Sequence, residues 1–180
     1  MVPARVTGVL TQPTQASVRW AIVNARRPLA YLVTFATYGS WLHGDARGSR
    51  HHRDRNFGDP PINPSPRWHS CEQQRMGSFP VTLDAHERSI TEQVARDVCA
   101  HRRWTCLAVQ ARCQHVHLVV SAVATPTDIL RCVKAWSSRR LGETGRFPRG
   151  TRIWARHGST VYLWTSSSCE RAVHYVLFEQ

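Results

Sequence analysis

The segment Gln114-His115-Val116-His117-Leu118-Val119-Val120 decides the fold of this chain. Its β-branched and aliphatic residues predict a largely buried strand. Because side chains alternate between the two faces of a strand, His115 and His117 point to the same side and Val116 points to the other. Their imidazoles would lie roughly 6–7 Å apart along the strand, which allows them to share one metal ion. A strand with two ordinary histidines explains the same pattern, so other residues must decide between the two interpretations.

The surrounding segments predict further strands. Residues 31–38 are rich in β-branched and aromatic side chains and are followed by Gly39, which is typical of a strand and a turn. Residues 105–112 precede the histidine strand, which we expect to span 115–123. Only Cys113 and Gln114 separate the two segments, which predicts a tight antiparallel hairpin. Residues 153–164 indicate an extended segment that is broken near Gly158.

Three helices are predicted from their N-terminal residues. Asp84 with Glu87 three residues later predicts a capping box for a helix that ends near residue 103. The segment 125–128, Thr-Pro-Thr-Asp, combines a capping threonine with a proline in the first turn. Ser167 and Glu170 predict a capping box for a last helix, which we expect to continue to the end of the sequence.

Two parts of the sequence lack periodicity. Residues 1–28 predict a weakly ordered N-terminal extension, and residues 29–180 a single domain. Within that domain, residues 40–81 have prolines at positions 60, 61, 64 and 66 and predict a long loop insertion without a regular element. His51, His52 and His69 lie in this loop, but nothing in the sequence fixes their spacing as metal ligands.

The composition favours a nucleic-acid-binding protein. The chain has 24 Lys and Arg residues against 12 Asp and Glu residues, a net charge of +12, and an isoelectric point near 10.7. Lys134 is its single lysine, and arginine binds phosphate bidentately and stacks on bases. A basic protein kept soluble by its charge, and a protein that binds an anionic membrane surface, are the alternative explanations.

The cysteines and the hydropathy pattern indicate an intracellular protein. The six cysteines form no Cys-x-x-Cys pair, which argues against a zinc ribbon and for reduced thiols. No apolar run approaches the ~20 residues of a membrane span, and the N-terminus lacks the layout of a signal peptide. We therefore expect a soluble cytoplasmic protein.

The second predicted helix has a basic face. It contains Arg131, Lys134, Arg139 and Arg140, which together have one acidic residue at the i,i+4 spacing, Glu143 from Arg139. Ordinary solvated charge explains such a face, but an excess of arginine over acidic partners favours contacts with phosphate.

Tyr175 lies off the apolar face of the last helix. The centre of the stripe formed by residues 172, 173, 176 and 177 is about 130° away at 3.6 residues per turn. The pattern therefore does not mark Tyr175 as a packing residue, and Glu179 is its neighbour one turn later. An ordinary surface tyrosine is the alternative interpretation.

Five segments together resemble the small HUH-type single-strand transposases, the single-tyrosine enzymes of simple insertion sequences and of REP-associated elements. The resemblance covers residues 31–180 and keeps the order of the family's motifs. Its segments are residues 38–45 (YGSWLHGD), 114–120 (QHVHLVV), 134–141 (KAWSSRRL), 154–164 (WARHGSTVYLW) and 172–176 (AVHYV).

The resemblance implies an α+β fold, a ferredoxin-like antiparallel sheet with helices packed on one face. It implies that His115 and His117 bind a divalent metal, Mg²⁺ or Mn²⁺, and that Tyr175 attacks a DNA phosphate to form a 5′-phosphotyrosine link. Glu179, with Gln180 adjacent, would complete the metal shell. The predicted DNA-binding residues are Arg131, Lys134, Arg139, Arg140 and Arg156.

The partner implied is single-stranded or hairpin DNA in the bacterial cytoplasm or nucleoid, with no membrane. Relatives act either as monomers or as homodimers that exchange their C-terminal helices, and the sequence leaves both open. Two other functions also stay open. One is a catalytically inactive nucleic-acid-binding module on the same scaffold, and the other is a zinc hydrolase that uses His115, His117 and a histidine from residues 43–69.

Overall fold

The strands and helices follow one another in the predicted order, with one additional helix. The computed structural model describes residues 27–46 and 63–179. Its elements are β1 (Ala30–Thr37), α1 (Pro66–Gln74), α2 (Ala85–Arg102), β2 (Thr105–Ala111), β3 (His115–Ser121), α3 (Pro126–Gly142), β4 (Trp154–Leu163) and α4 (Ser166–Phe178). The expected N-terminal extension lies almost entirely outside the described residues.

The four strands form one antiparallel sheet in the order β2-β3-β1-β4. The histidine strand β3 is central and pairs with β1 on one side and β2 on the other. In this register His117 lies opposite Thr34 of β1 and Gln110 of β2. Residues directly opposite each other in a sheet share a face, so these three side chains form a polar row across it.

Each face of the sheet has its own core. The larger core contains Val33, Val116 and Leu118 together with buried residues of α2 and α3. The smaller core, on the opposite face, joins Val119 to Ala172 and Val176 of α4. The α+β class with an antiparallel ferredoxin-like sheet is confirmed. As predicted, α2 and α3 pack together on one face of the sheet. The last helix, α4, packs on the other face, to which the histidines point.

A helix within residues 40–81 contradicts the prediction of an irregular loop there. The Ser65 side chain accepts a hydrogen bond from the Trp68 amide and caps α1. Pro66 occupies the first turn, where its missing N–H costs nothing. The proline that indicated a loop therefore begins a helix. Residues 47–62 lie outside the described part.

Two of the three predicted helices begin at the capping residues expected from the sequence. Asp84 and Glu87 form the predicted capping box of α2, and Thr125 caps α3. The last helix begins two residues earlier than predicted, because Thr165 and Ser168 form its capping box. No helix of the described residues is long and apolar enough to cross a membrane.

The edge strand β4 is continuous through Gly158 and irregular just before it. Phe35 pairs with Gly158 and Thr37 pairs with Trp154, so one residue of β1 faces three residues of β4. A Cβ at Gly158 would lie 2.6 Å from the Thr34 carbonyl oxygen and 3.1 Å from a Leu130 methyl group. Gly158 therefore marks a close approach of β4 to β1, and the predicted break is a bulge.

Replacement of Gly158 by alanine tests this close approach. We expect Gly158→Ala to lower the free energy of unfolding by about 1–3 kcal/mol, because the added methyl group must displace backbone. Urea unfolding gives the measurement. The matched control is Gly142→Ala, where a Cβ meets nothing within 4 Å, so stability should stay the same or increase by up to about 1 kcal/mol. Equal effects of the two substitutions would refute the packing argument.

Candidate active site

The two histidines of β3 lie side by side on the face covered by α4. Their ring centroids are 4.8 Å apart and the rings are nearly perpendicular, at 81°. His117 is buried and His115 is partly exposed. The intervening Val116 is fully buried in the larger core on the opposite face, as the alternation of the strand predicts. The pair is thus held in place by the packing of its neighbours.

Thr34 fixes the ring of His117. The Thr34 hydroxyl and His117 Nδ1 are 2.8 Å apart across the β1–β3 ladder. When the ring nitrogen donates and the hydroxyl accepts, the imidazole carries its lone pair on Nε2, which is the tautomer required for ligation through that atom. Sequence reasoning missed Thr34, because only the register of β1 against β3 reveals it.

Tyr175 lies against the same histidine. Its ring centroid is 5.7 Å from that of His117, in an edge-to-face arrangement at 81°. Its side chain is 38% exposed, so the phenol can meet a ligand from solvent. Ala172 and Val176 attach α4 to the smaller core, and this contact sets the position of the tyrosine. The structure therefore brings together in one chain the two motifs that the sequence separates by nearly sixty residues.

Trp41 borders the site on the other side. Its ring centroid is 5.5 Å from that of His115. Its φ is 55°, a left-handed conformation that is uncommon for a bulky residue. In the same segment after β1, His43 stacks on Trp68 of α1 with centroids 5.2 Å apart. The YGSWLHGD segment thus places a tryptophan beside the histidine pair and a histidine against α1.

The predicted third ligand contacts a different residue. Glu179 is the C-cap of α4, and its carboxylate oxygen is 2.9 Å from Nδ1 of His174 on the same helix. Both side chains are largely exposed. Gln180 lies outside the described residues. The assignment of Glu179 and Gln180 as metal ligands stays a prediction.

Gln110 offers an oxygen that sequence reasoning missed. Its Oε1 is buried and has no hydrogen-bond partner among the described residues. A buried amide oxygen without a partner is costly. Gln110 lies directly opposite His117 on β2, on the histidine face of the sheet. The sequence alone does not mark this glutamine as part of the site. Its position opposite His117 follows only from the register of the hairpin.

The donors at this face suit a labile oxygen-preferring metal. Two imidazoles and an amide oxygen are acceptable ligands for Mn²⁺, and an amide oxygen also suits Mg²⁺. Within the described residues, no three His, Cys, Asp or Glu side chains are gathered where they could hold a metal ion. The alternative zinc site requires a third histidine from residues 43–69. His43 and His69 do not form a three-ligand group with His115 and His117. His51 and His52 lie outside the described residues.

The predicted DNA-binding arginines are exposed on α3 and β4, but two of them have acidic partners. Arg131 forms an ion pair with Asp128 at 2.7 Å, and Arg140 with Glu143 at 2.5 Å. Both partners are three residues away, so the i,i+4 spacing does not identify them. Arg139 and Arg156 are also exposed. A surface ion pair contributes little to stability, and the DNA-binding role of these arginines stays a prediction.

Lys134 has a structural contact instead of an open position. Its ammonium donates to the carbonyl oxygens of Ala155 and His157, both at 2.9 Å. These carbonyls lie in the β4 bulge, where the ladder to β1 is interrupted. The same ammonium lies 5.4 Å from the centre of the Phe35 ring. Burial lowers the pKa of Lys134 from 10.5 to about 8. Its predicted role in DNA binding stays untested.

Comparisons with known proteins find similarity in structure only. No family model matches the sequence, and no curated protein matches it. A crystal structure of a candidate transposase from Deinococcus radiodurans is similar over 83% of this chain and 88% of that chain, with 15% sequence identity and a TM-score of 0.47. A REP-associated tyrosine transposase bound to a REP hairpin is similar over 83% of this chain and 65% of that chain, with 10% identity and a TM-score of 0.44.

The single lysine allows a direct test of the bulge contact. We expect Lys134 to titrate near pH 8, as measured by the pH dependence of its modification by an amine reagent. Because the unfolded pKa of 10.5 is higher, the unfolded chain binds more protons between about pH 8 and 10.5, and this group makes stability rise with pH in that window. The controls are the N-terminal amine and Lys134 itself in the urea-unfolded chain. A folded-state pKa above 10 would contradict the burial.

Proposed function

We propose that this chain is a transposase-type nuclease that cleaves and rejoins single-stranded DNA at transposon ends, with Tyr175 as the nucleophile. The observation that carries the proposal is the contact of Tyr175 with His117, beside His115, on one face of the sheet. A phenol at the edge of a two-histidine cluster, partly open to solvent, is suited to attack a phosphate held by that cluster. The charge of +12 suits a polyanionic substrate.

The reaction exchanges one phosphate ester for another. The Tyr175 oxygen attacks phosphorus and forms a 5′-phosphotyrosine bond, while the bond from phosphorus to the 3′ oxygen breaks. The phenolic proton is lost and a proton reaches the departing 3′ oxygen, so the products are a protein–DNA ester and a 3′-hydroxyl. The ester retains the energy of the broken bond, so rejoining requires no nucleotide cofactor.

The histidines would hold the divalent metal that the reaction requires. A bound Mg²⁺ or Mn²⁺ would neutralise phosphate charge and favour loss of the phenolic proton during attack. His115 and His117 are the nitrogen ligands in this proposal, and Thr34 holds the second ring in its ligating tautomer. The oxygen donors would come from Gln110, or from Glu179 after it leaves His174. Trp41 shields the His115 side of the cluster.

A second function fits one observation. Glu179 is paired with His174, and a site without that carboxylate would bind metal weakly. The chain would then be an inactive module that binds nucleic acid through its arginines. The two functions share the fold and the charge, and they differ in whether a covalent link forms.

A covalent adduct is the decisive measurement for Tyr175. We expect the protein to form a denaturation-resistant adduct with single-stranded hairpin DNA in the presence of Mn²⁺, and Tyr175→Phe to abolish it because the attacking oxygen is absent. Tyr38→Phe is the matched control, since it removes a phenol oxygen that accepts a hydrogen bond from the Gly77 amide, just after α1. An adduct that persists in Tyr175→Phe would refute the assignment.

The histidine variants separate cleavage from binding. His115→Ala and His117→Ala should abolish the adduct and retain most of the salt-sensitive DNA affinity, because phosphate contacts come mainly from arginine. Parallel loss of binding and cleavage would contradict this separation. DNA binding by the wild-type chain without any adduct, on hairpins from its own element, would favour the inactive module.

Metal affinity tests the role of Gln110 independently of activity. We expect Gln110→Ala to weaken Mn²⁺ binding about tenfold or more, and Gln110→Glu to restore it because a carboxylate is a stronger oxygen donor. Paramagnetic resonance of free Mn²⁺ gives the affinity. Gln93→Ala, which removes an exposed amide of α2, is the control. Unchanged affinity in Gln110→Ala together with a loss in Glu179→Ala would assign the oxygen donor to α4.

A further inference from the structure

A groove of about 690 Å³ lies between α3 and β4. Its walls are the first two turns of α3 and residues 156–160 of β4, together with Tyr162. Tyr162 contacts Tyr31 of the larger core, so this α3–β4 groove opens on the side of the sheet opposite to the histidines. The groove is therefore separate from the candidate active site.

Two aromatic rings extend the groove along the edge strand. Tyr162 and Trp164 stack on each other with centroids 6.3 Å apart and planes inclined by 14°. They are 50% and 53% exposed, respectively. Tyr162 is anchored edge-to-face on buried Tyr31, with centroids 5.4 Å apart. The two rings are thus held parallel by the fold while half of their surface remains in water, which no packing role of the described residues explains.

Positive charge lies beside these rings. Arg156 is exposed on β4, and Arg131 lies on the α3 wall, where Asp128 is its partner. The ammonium of Lys134 lies deeper, on the bulge carbonyls. A ligand that combines flat apolar surfaces with repeated negative charge matches this arrangement. Nucleic acid has both, and its base faces are accessible only when the strand is unpaired.

We propose that the α3–β4 groove binds single-stranded nucleic acid, with bases stacked on Tyr162 and Trp164 and phosphates against Arg131 and Arg156. The inference extends the proposed function, because it gives the DNA strand a holding site apart from the site of cleavage. β4 is an edge strand of the sheet, so a strand of DNA can pass over it from the groove to the histidine face. The chemistry of base faces and phosphates is sequence-tolerant.

The test measures equilibrium binding without cleavage. The protein carries Tyr175→Phe and the buffer contains a chelator, so no outcome depends on metal or on catalysis. Oligothymidylate is the single-stranded probe, and a mixed-sequence duplex is the comparison. We expect Tyr162→Ala and Trp164→Ala each to weaken single-strand binding roughly five- to hundredfold, the range for loss of one stacked base, and to leave duplex binding unchanged.

Controls distinguish stacking from a general loss of structure. Tyr162→Phe and Trp164→Phe retain a ring and should restore most of the affinity, and Phe79→Ala removes a 91% exposed ring elsewhere without effect. The alanine variants should retain the salt dependence, whereas Arg156→Ala should reduce the slope of log affinity against log salt by about one. Unchanged single-strand affinity in both alanine variants, or equal losses for single strand and duplex, would overturn the proposal.

The outcome is independent of the proposed nuclease activity. If the alanine variants lose single-strand affinity and the wild type never forms a DNA adduct, the groove is supported and the nuclease is rejected. If the wild type forms the adduct and both alanine variants keep their single-strand affinity, the nuclease is supported and the groove is rejected.

Discussion

The structure depends on the alternation of side chains along β3. Val116, Leu118 and Val120 are fully buried in the larger core, and His115 and His117 consequently face α4. A slip of one residue would put both histidines into the apolar core and expose the valines on the other face. The free energy that fixes the register is therefore mainly hydrophobic, whereas its chemical result is a pair of imidazoles beside Tyr175. The fold and the candidate site rest on the same periodicity of two.

Local signals predicted most of the fold. The capping pair Asp84 and Glu87, the threonine at 125 and the two-residue gap at Cys113 and Gln114 each act within a few residues, and each is found as predicted. Pro66 misled the prediction, because proline suits both a loop and the first turn of a helix, and only the Ser65 cap separates the two. The earlier start of α4 has a similar cause, since Thr165 with Ser168 is a weaker sequence pattern than Ser167 with Glu170.

Contacts between distant residues could not be predicted in this way. His115, His117 and Tyr175 were predicted from motifs, and the structure brings Tyr175 to His117, but the involvement of Thr34 and Gln110 follows only from strand register. The arginines predicted for the basic face of α3 are exposed, as expected. Lys134 is not, because its ammonium is held by the carbonyl oxygens of the β4 bulge. A sequence lists charges, and whether a cation meets solvent or a carbonyl depends on a bulge that no local pattern encodes.

β1 connects the two faces of the molecule in a way that constrains how this sequence can vary. Tyr31 supports Tyr162 on one face, and three residues later Thr34 holds His117 on the other. Odd spacing along a strand is what puts two side chains on opposite faces. An insertion or deletion of one residue between them would turn one partner away from its site, and no loop could absorb the shift. Natural variants should therefore keep two residues between Tyr31 and Thr34, and should replace Leu32 and Val33 only by other apolar residues, because both side chains pack against a core.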